Sequence, residues 1–199
     1  ITSTDASYGF AATTTPPEVT NPEDNAPPLL APGAVAQPGD GNGDGILDSQ
    51  QDGVLSAQVL LTSTPEAPPP GTPLVFVTLV ADSLAGKEDG SDLNVARITS
   101  HSQQDAPSFL PDGMTLPLGL LSFNVNVGGQ GDIETFSLYL DPALGANGFW
   151  QHLGGSLWVN LASAPYGGQM VLEGNKLRLD IQVMDGGPFD ADGLANGSI

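Results

Sequence analysis

Short apolar runs punctuated by Gly, Pro and Asp set the pattern of this chain. Candidate strands fall at 54–62, 74–81, 93–99, 118–127, 133–140, 156–162, 169–173 and 176–184. Several alternate with period two, as in Phe136/Leu138/Leu140 and Leu177/Leu179/Ile181/Val183, so each such strand has one apolar and one wet face. Glu173-Gly174-Asn175-Lys176 reads as a tight hairpin turn. Together these features predict an all-β fold, an antiparallel β-sandwich of jelly-roll or immunoglobulin-like kind.

The N-terminal part differs. Residues 1–12 are weakly strand-like, with Tyr8, Phe10 and Ala12 on one face. Residues 13–38 hold Pro16, Pro17, Pro22, Pro27, Pro28, Pro32 and Pro38. Proline fixes φ and removes a donor, so this stretch reads as extended; at about 3.1 Å per residue it would reach on the order of 80 Å. The expected organisation is an extended arm over 1–39 and a β body over 40–199.

Composition narrows the function. With 26 Gly and 18 Pro and few Lys, Arg or Glu, good helix formers are scarce. Twenty-three acids stand against Lys87, Arg97, Lys176 and Arg178, a formal net charge of -19. Such a surface repels nucleic acid and anionic lipid and favours divalent cations. There are no cysteines, which removes disulfides and thiolate metal sites. No apolar run is long enough for a transmembrane helix. The start at Ile1, without Met, reads as a processed mature chain.

One motif points to chemistry. In Asp40-Gly-Asn42-Gly-Asp44-Gly45-Ile46-Leu47-Asp48, oxygen-bearing side chains fall at every second position and a glycine follows the third. This is the first part of an EF-hand-type calcium loop. Asp40, Asn42 and Asp44 would supply positions 1, 3 and 5; Ile46 would offer its carbonyl at 7 and Asp48 would sit at 9. The bidentate Glu expected at position 12 is Gln51 here, and Asp52 follows. The alternative is an Asp/Gly turn with no ion. A second acidic cluster, with Asp185, Asp190, Asp192 and Asn196, reads either as a further calcium site or as a solvated loop with Asp/Asn caps.

DGNGDGILDSQQ at 40–51, LPLGLLSFNV at 116–125, the aromatic-rich FW…LWVNL at 149–161 and DGGPFDADGLANGSI at 185–199 resemble the bacterial surface modules called choice-of-anchor U domains. The calcium-type loop is also similar to those of dockerins and thrombospondin type 3 repeats. The resemblance covers about 40–199 and implies a secreted bacterial protein of the cell surface. It carries no catalytic residues.

The residues themselves argue against catalysis. His101 and His152 are lone, no Ser elbow is present, and the acids cluster in Gly-rich loops that suit metal better than acid/base work. The expected function is that of a non-enzymatic extracellular structural subunit, stabilised by calcium. It would form a homo-polymer in which the N-terminal strand, through Tyr8 and Phe10, adds to the sheet of the next copy. The alternative is an adhesive, carbohydrate-binding module using Trp150, Trp158 and Tyr166 against sugar rings.

Overall fold

The computed structural model describes residues 22–61, 71, 73–89 and 96–199. The expected strand at 1–12, with Tyr8 and Phe10, lies outside them. The described chain is all-β, its strands being β1 (Val54–Leu60), β2 (Leu74–Val80), β3 (Ser83–Leu84), β4 (Lys87–Glu88), β5 (Arg97–Gln104), β6 (Leu120–Asn126), β7 (Ile133–Leu140), β8 (Trp150–His152), β9 (Trp158–Asn160), β10 (Gln169–Glu173) and β11 (Lys176–Met184). Five of them form one antiparallel sheet in the order β1-β2-β7-β11-β10; β3–β4, β5–β6 and β8–β9 are separate two-stranded ribbons.

The alternating positions of the sheet strands build its inner face. Val77, Leu79, Phe136, Leu138, Leu179, Ile181 and Val183 are buried there. Val125 of β6, Leu118 and Leu161 pack against them, with Phe123 and Phe149 partly buried at the margin. Each fully buried side chain of this size contributes about 1.5–3 kcal/mol.

The opposite face departs from expectation. Alternation predicts a wet surface, yet Ser56, Thr78, Ser137, Lys176 and Arg178 are all buried on it. The cover comes from the segment preceding β1. Ala26 and Leu29 are fully buried, and Leu29 packs with Val54, Val80 and Tyr139. Residues 22–39, which the sequence assigns to an extended arm, therefore lie against their own sheet. This cover grips the β10–β11 turn: Leu30 N–H donates to Asn175 Oδ1 (2.6 Å) and Asn175 Nδ2 donates to Pro28 O (3.3 Å). Gly174, at φ +58°, takes the first central position of that two-residue turn. A Cβ there would stand 2.0 Å from Leu30 O, so only glycine admits the contact.

Two ribbons differ from the sequence pattern. β5 runs on to Gln104, past the expected end at 99, through mostly exposed polar residues. Its pairing with β6, not burial, holds it extended, with a register shift between Ile98 and Ser100. β8 has only three residues and is set by pairing to β9.

The sheet's two edges are unlike. At the β1 edge, Ile98 N–H donates to Asp52 O (2.9 Å) near the start of the strand. At its far end the Gln103 amide imitates a neighbouring strand, accepting from Leu60 N–H (2.9 Å) and donating to Leu60 O (2.7 Å). At the β10 edge, the two-residue turn directs the backbone of Glu173 toward β11 and that of Met170 and Leu172 outward. Among the described residues nothing bonds those outward groups. Their side chains belong to the inner face but are 47% and 68% exposed.

If the cover is integral, Leu29→Ala should destabilise the protein by about 2–5 kcal/mol, the usual loss for a fully buried leucine. Denaturant unfolding of the two proteins measures this; a loss below about 0.5 kcal/mol would mean the segment is only laid on the surface.

Candidate functional site

The calcium-type loop sits on the outer face of the sheet. Its centre is the fully buried Asp40 carboxylate. Oδ1 accepts from Gly43 N–H (2.6 Å) and Asp44 N–H (3.1 Å), and Oδ2 from Gly45 N–H (2.9 Å). The loop winds around this side chain. Asn42 joins it, donating Nδ2 to Asp44 Oδ2 (3.0 Å) and accepting from Asp44 N–H (3.3 Å). Asp44 Oδ1 in turn accepts from Ile46 N–H (2.8 Å). Asp40, Asn42 and Asp44 are thus gathered as their spacing requires.

Asp48 is not part of that group. Its two oxygens accept from Gly41 N–H, both at 3.0 Å, and one also accepts from the Ser56 hydroxyl. Ser56 and Thr78 share a further hydrogen bond of 2.7 Å. The loop approaches the sheet so closely here that a Cβ on Gly41 would stand 2.2 Å from Thr78 Oγ1. Burial pushes the Asp48 carboxyl up to about 6, against the pull of the Ser56 and Gly41 hydrogen bonds. Asp52 lies apart, in an exposed salt bridge to Arg97 (2.8 Å).

Two cations meet the loop, Lys176 from the sheet and Lys87 from the β3–β4 ribbon. Lys176 Nζ donates to Gly41 O (2.6 Å), and Lys87 Nζ donates to Asn42 O. Both stand over the Tyr139 ring, at 5.9 and 5.7 Å from its centroid. Desolvation lowers Lys176 to about 8, although Asp48 and Asp40 pull the other way. Arg178 is close by, paired with Glu173 and, through Nε, with Asp180 (2.9 Å). Two of the four basic residues in the chain thus bond the loop itself, while Arg178, on the same face of β11 as Lys176, bonds Ala85 O in the turn between β3 and β4. The sequence gives one usable signal of this, the rarity of its bases.

The fit of the loop to calcium can be tested on Gln51. Its Nε2 donates to Asp44 Oδ2 (2.9 Å) and to Glu88 Oε2 (3.1 Å), while its Oε1 is buried without a hydrogen-bond partner. An unpaired buried oxygen at the twelfth loop position, beside Asp44, suits a hard cation. Among the described residues no three His, Cys, Asp or Glu side chains form a metal cluster, so an ion here would draw on amide and backbone oxygens as well as Asp40 and Asp44.

The terminal acids do not offer the same fit. Asp185 is buried and takes N–H donors from Gly131 (2.8 Å), Asn196 (3.2 Å) and Gly197 (2.9 Å). Burial pushes its pKa up, but these backbone donors together with Ser198 outweigh that and hold it below the ordinary value. Its oxygens shape the loop, as those of Asp40 do in theirs; what the terminal cluster lacks, among the described residues, is a buried side-chain oxygen left without a partner, such as Gln51 Oε1. Asp190 accepts from Gly186 N–H (2.8 Å); Asp192 accepts from Leu194 N–H and Asn196 Nδ2, both at 2.8 Å. These are capping interactions, and the cluster binds its own backbone.

The aromatic residues divide. Trp150 and Trp158 come together on the β8–β9 ribbon, where Trp158 stacks on His152 at 4.6 Å and Trp150 Nε1 donates to Asn147 Oδ1 (3.1 Å). Both tryptophans line a groove over the inner face of the sheet. Tyr166 is elsewhere, edge-on to Phe189 at 5.5 Å. His101 is exposed on β5.

No protein-family model matches the chain, and searches of curated proteins and of solved structures found no match either.

One further buried acid was not foreseen. Glu134, at 1% exposure, accepts from Asp82 N–H (2.6 Å) and Thr135 N–H (3.1 Å) through Oε1, leaving Oε2 buried and unpaired. Desolvation, then the Asp82 charge, raise its carboxyl to about 7. Glu134 and Asp48 therefore bind protons more tightly folded than unfolded. Their stabilising contribution is fully present below the ordinary carboxylate range and is lost as pH rises through about 6 for Asp48 and about 7 for Glu134. The melting temperature should rise as the buffer is taken from about pH 7.5 to about pH 5. Glu134→Gln, which keeps the acceptor oxygen and removes the charge, should shrink that rise; a profile unchanged by the substitution would refute the assignment.

Proposed function

We propose that this chain is a non-enzymatic extracellular structural subunit that polymerises by strand addition. The N-terminal segment of one copy, carrying Tyr8 and Phe10, adds to the β10 edge of the next. The observation that carries this reading is the contrast between the sheet's edges. β1 is engaged by Ile98 and Gln103, whereas β10 offers the outward backbone of Met170 and Leu172 beside their exposed side chains. An open edge with exposed apolar residues is a template for another strand unless it is guarded by charge, proline or a bulge. Residues 1–15 carry a single charge, Asp5, in a chain of net charge -19, so this segment approaches another copy with little repulsion. A contact of this head-to-tail kind does not close and so builds a filament.

Calcium has a supporting place in the proposal. Asp40, Asn42 and Asp44, with Gln51 Oε1, would hold the ion and fix the cover on the sheet, and the ion would offset part of the acidic charge. Extracellular calcium would keep such a loop filled.

Two experiments test these statements. In sedimentation velocity, the full chain should form polymers and a form lacking 1–15 should remain monomeric; a full chain that stays monomeric sinks the proposal. Leu172→Lys should also give monomers while shifting stability by no more than about 0.5 kcal/mol, because the side chain is exposed. For the loop, Asp44→Ala should lower the melting temperature in calcium and leave it nearly unchanged in chelator. An equal loss in both conditions would remove calcium from the account.

A further inference from the structure

Three Asn–Gly pairs occur in the chain: Asn42–Gly43, Asn147–Gly148 and Asn196–Gly197. The pair is chemically reactive, because the backbone nitrogen of the glycine can attack the asparagine Cγ and no Cβ on the glycine hinders the approach. In the sequence nothing separates the three. The structure does.

Two of them are tied down at both reacting groups. Asn42 is fully buried, Gly43 N–H donates to Asp40 Oδ1 (2.6 Å), and Asn42 Nδ2 donates to Asp44 Oδ2 (3.0 Å). Gly197 N–H donates to Asp185 Oδ2 (2.9 Å). Asn196 Nδ2 donates to Asp192 Oδ2 (2.8 Å), and its Oδ1 accepts from Ser198 N–H (2.9 Å). In both pairs the attacking nitrogen and the leaving nitrogen each donate to a carboxylate.

Asn147–Gly148 differs at both groups. Asn147 is exposed, in the loop before β8. Among the described residues, neither Gly148 N–H nor Asn147 Nδ2 has a hydrogen-bond partner. The one bond to this side chain falls on its oxygen, where Oδ1 accepts from Trp150 Nε1 (3.1 Å). Attack at Cγ drives negative charge onto that oxygen, so the indole donor favours the reaction.

We propose that Asn147 is a site of spontaneous deamidation. Gly148 N bonds to Asn147 Cγ, the Cγ–Nδ2 bond breaks, and the Gly148 proton leaves with Nδ2 as ammonia. Water then opens the cyclic imide to aspartate or isoaspartate. Both residues line the groove over the inner face of the sheet, where Asp112 is the sole acidic side chain and no Lys or Arg is present. The product adds a negative charge beside Trp150, and isoaspartate also lengthens the backbone just before β8. The reaction uses no group of the β10 edge or of the calcium-type loop, so it stands apart from strand addition.

The full chain is held at neutral pH and mapped by mass spectrometry over time, beside a sample unfolded in guanidinium chloride. Each Asn–Gly pair is followed by the mass gained when NH2 becomes OH, and its folded rate is divided by its own unfolded rate. Folding should slow Asn147 at least about tenfold less than Asn42 and Asn196, whose reaction awaits local opening. Isoaspartate should accumulate at position 147 of the folded protein, and Asn147→Gln should abolish the mass gain at that position. Equal protection of the three pairs, or conversion of Asn147 in the unfolded sample alone, would overturn the proposal. The folded and unfolded samples are both the unsubstituted chain, so the comparison needs no variant to fold.

Discussion

The structure turns on the Asp48 carboxylate, held between the backbone of Gly41 and the Ser56 hydroxyl, with Lys176 donating to the carbonyl of the same glycine. Acid, glycine and lysine are all buried at this point. Taking such groups out of water is costly, and removing any one leaves the others uncompensated. This seat fixes where the loop meets the sheet. The loop then holds the preceding segment in place, so that Leu29 closes over Tyr139 and Val80 and residues 28–31 clasp the β10–β11 turn. The geometry of the β10 edge thus depends on a contact beneath a loop of distant sequence.

This arrangement inverts the usual division of a sheet. The polar face, with Ser56, Thr78, Ser137, Lys176 and Arg178, is sealed by chain. The apolar face is the one left with a groove. Sealing a polar face is possible because each cation finds acceptors: Lys176 and Lys87 at loop carbonyls, and Arg178 at Glu173, Asp180 and Ala85 O.

Much of the sheet was legible in the sequence. β7 alternates with period two over Phe136, Leu138 and Leu140 and β11 over Leu177, Leu179, Ile181 and Val183, and the Gly174–Asn175 turn has its glycine where the backbone needs it. β5 was harder to read, because Arg97–Gln104 has no buried stripe and is extended only through its partner. In the loop, the spacing of Asp40, Asn42 and Asp44 anticipated their gathering, since those positions are local. The withdrawal of Asp48 was not readable, because Ser56 and Thr78 reach it from strands whose placement no local pattern sets. Gln51 looked like a missing acid; its importance lies in an amide oxygen left without a donor, which only three-dimensional burial reveals. The same holds for Glu134.

The gathering of the cations has a consequence for proteolysis. Trypsin cleaves after Lys and Arg, and this chain offers it four positions. The side chains of Lys176 and Arg178 are buried in the sheet, and Lys87 is one-third exposed with its ammonium turned to the loop. Only Arg97, at 58% exposure, is presented to solvent, and it lies in a paired strand. Cutting at Lys87 or Lys176 requires the loop to lift from them, so the rate of tryptic cleavage at these two positions becomes a direct gauge of how often that lifting occurs.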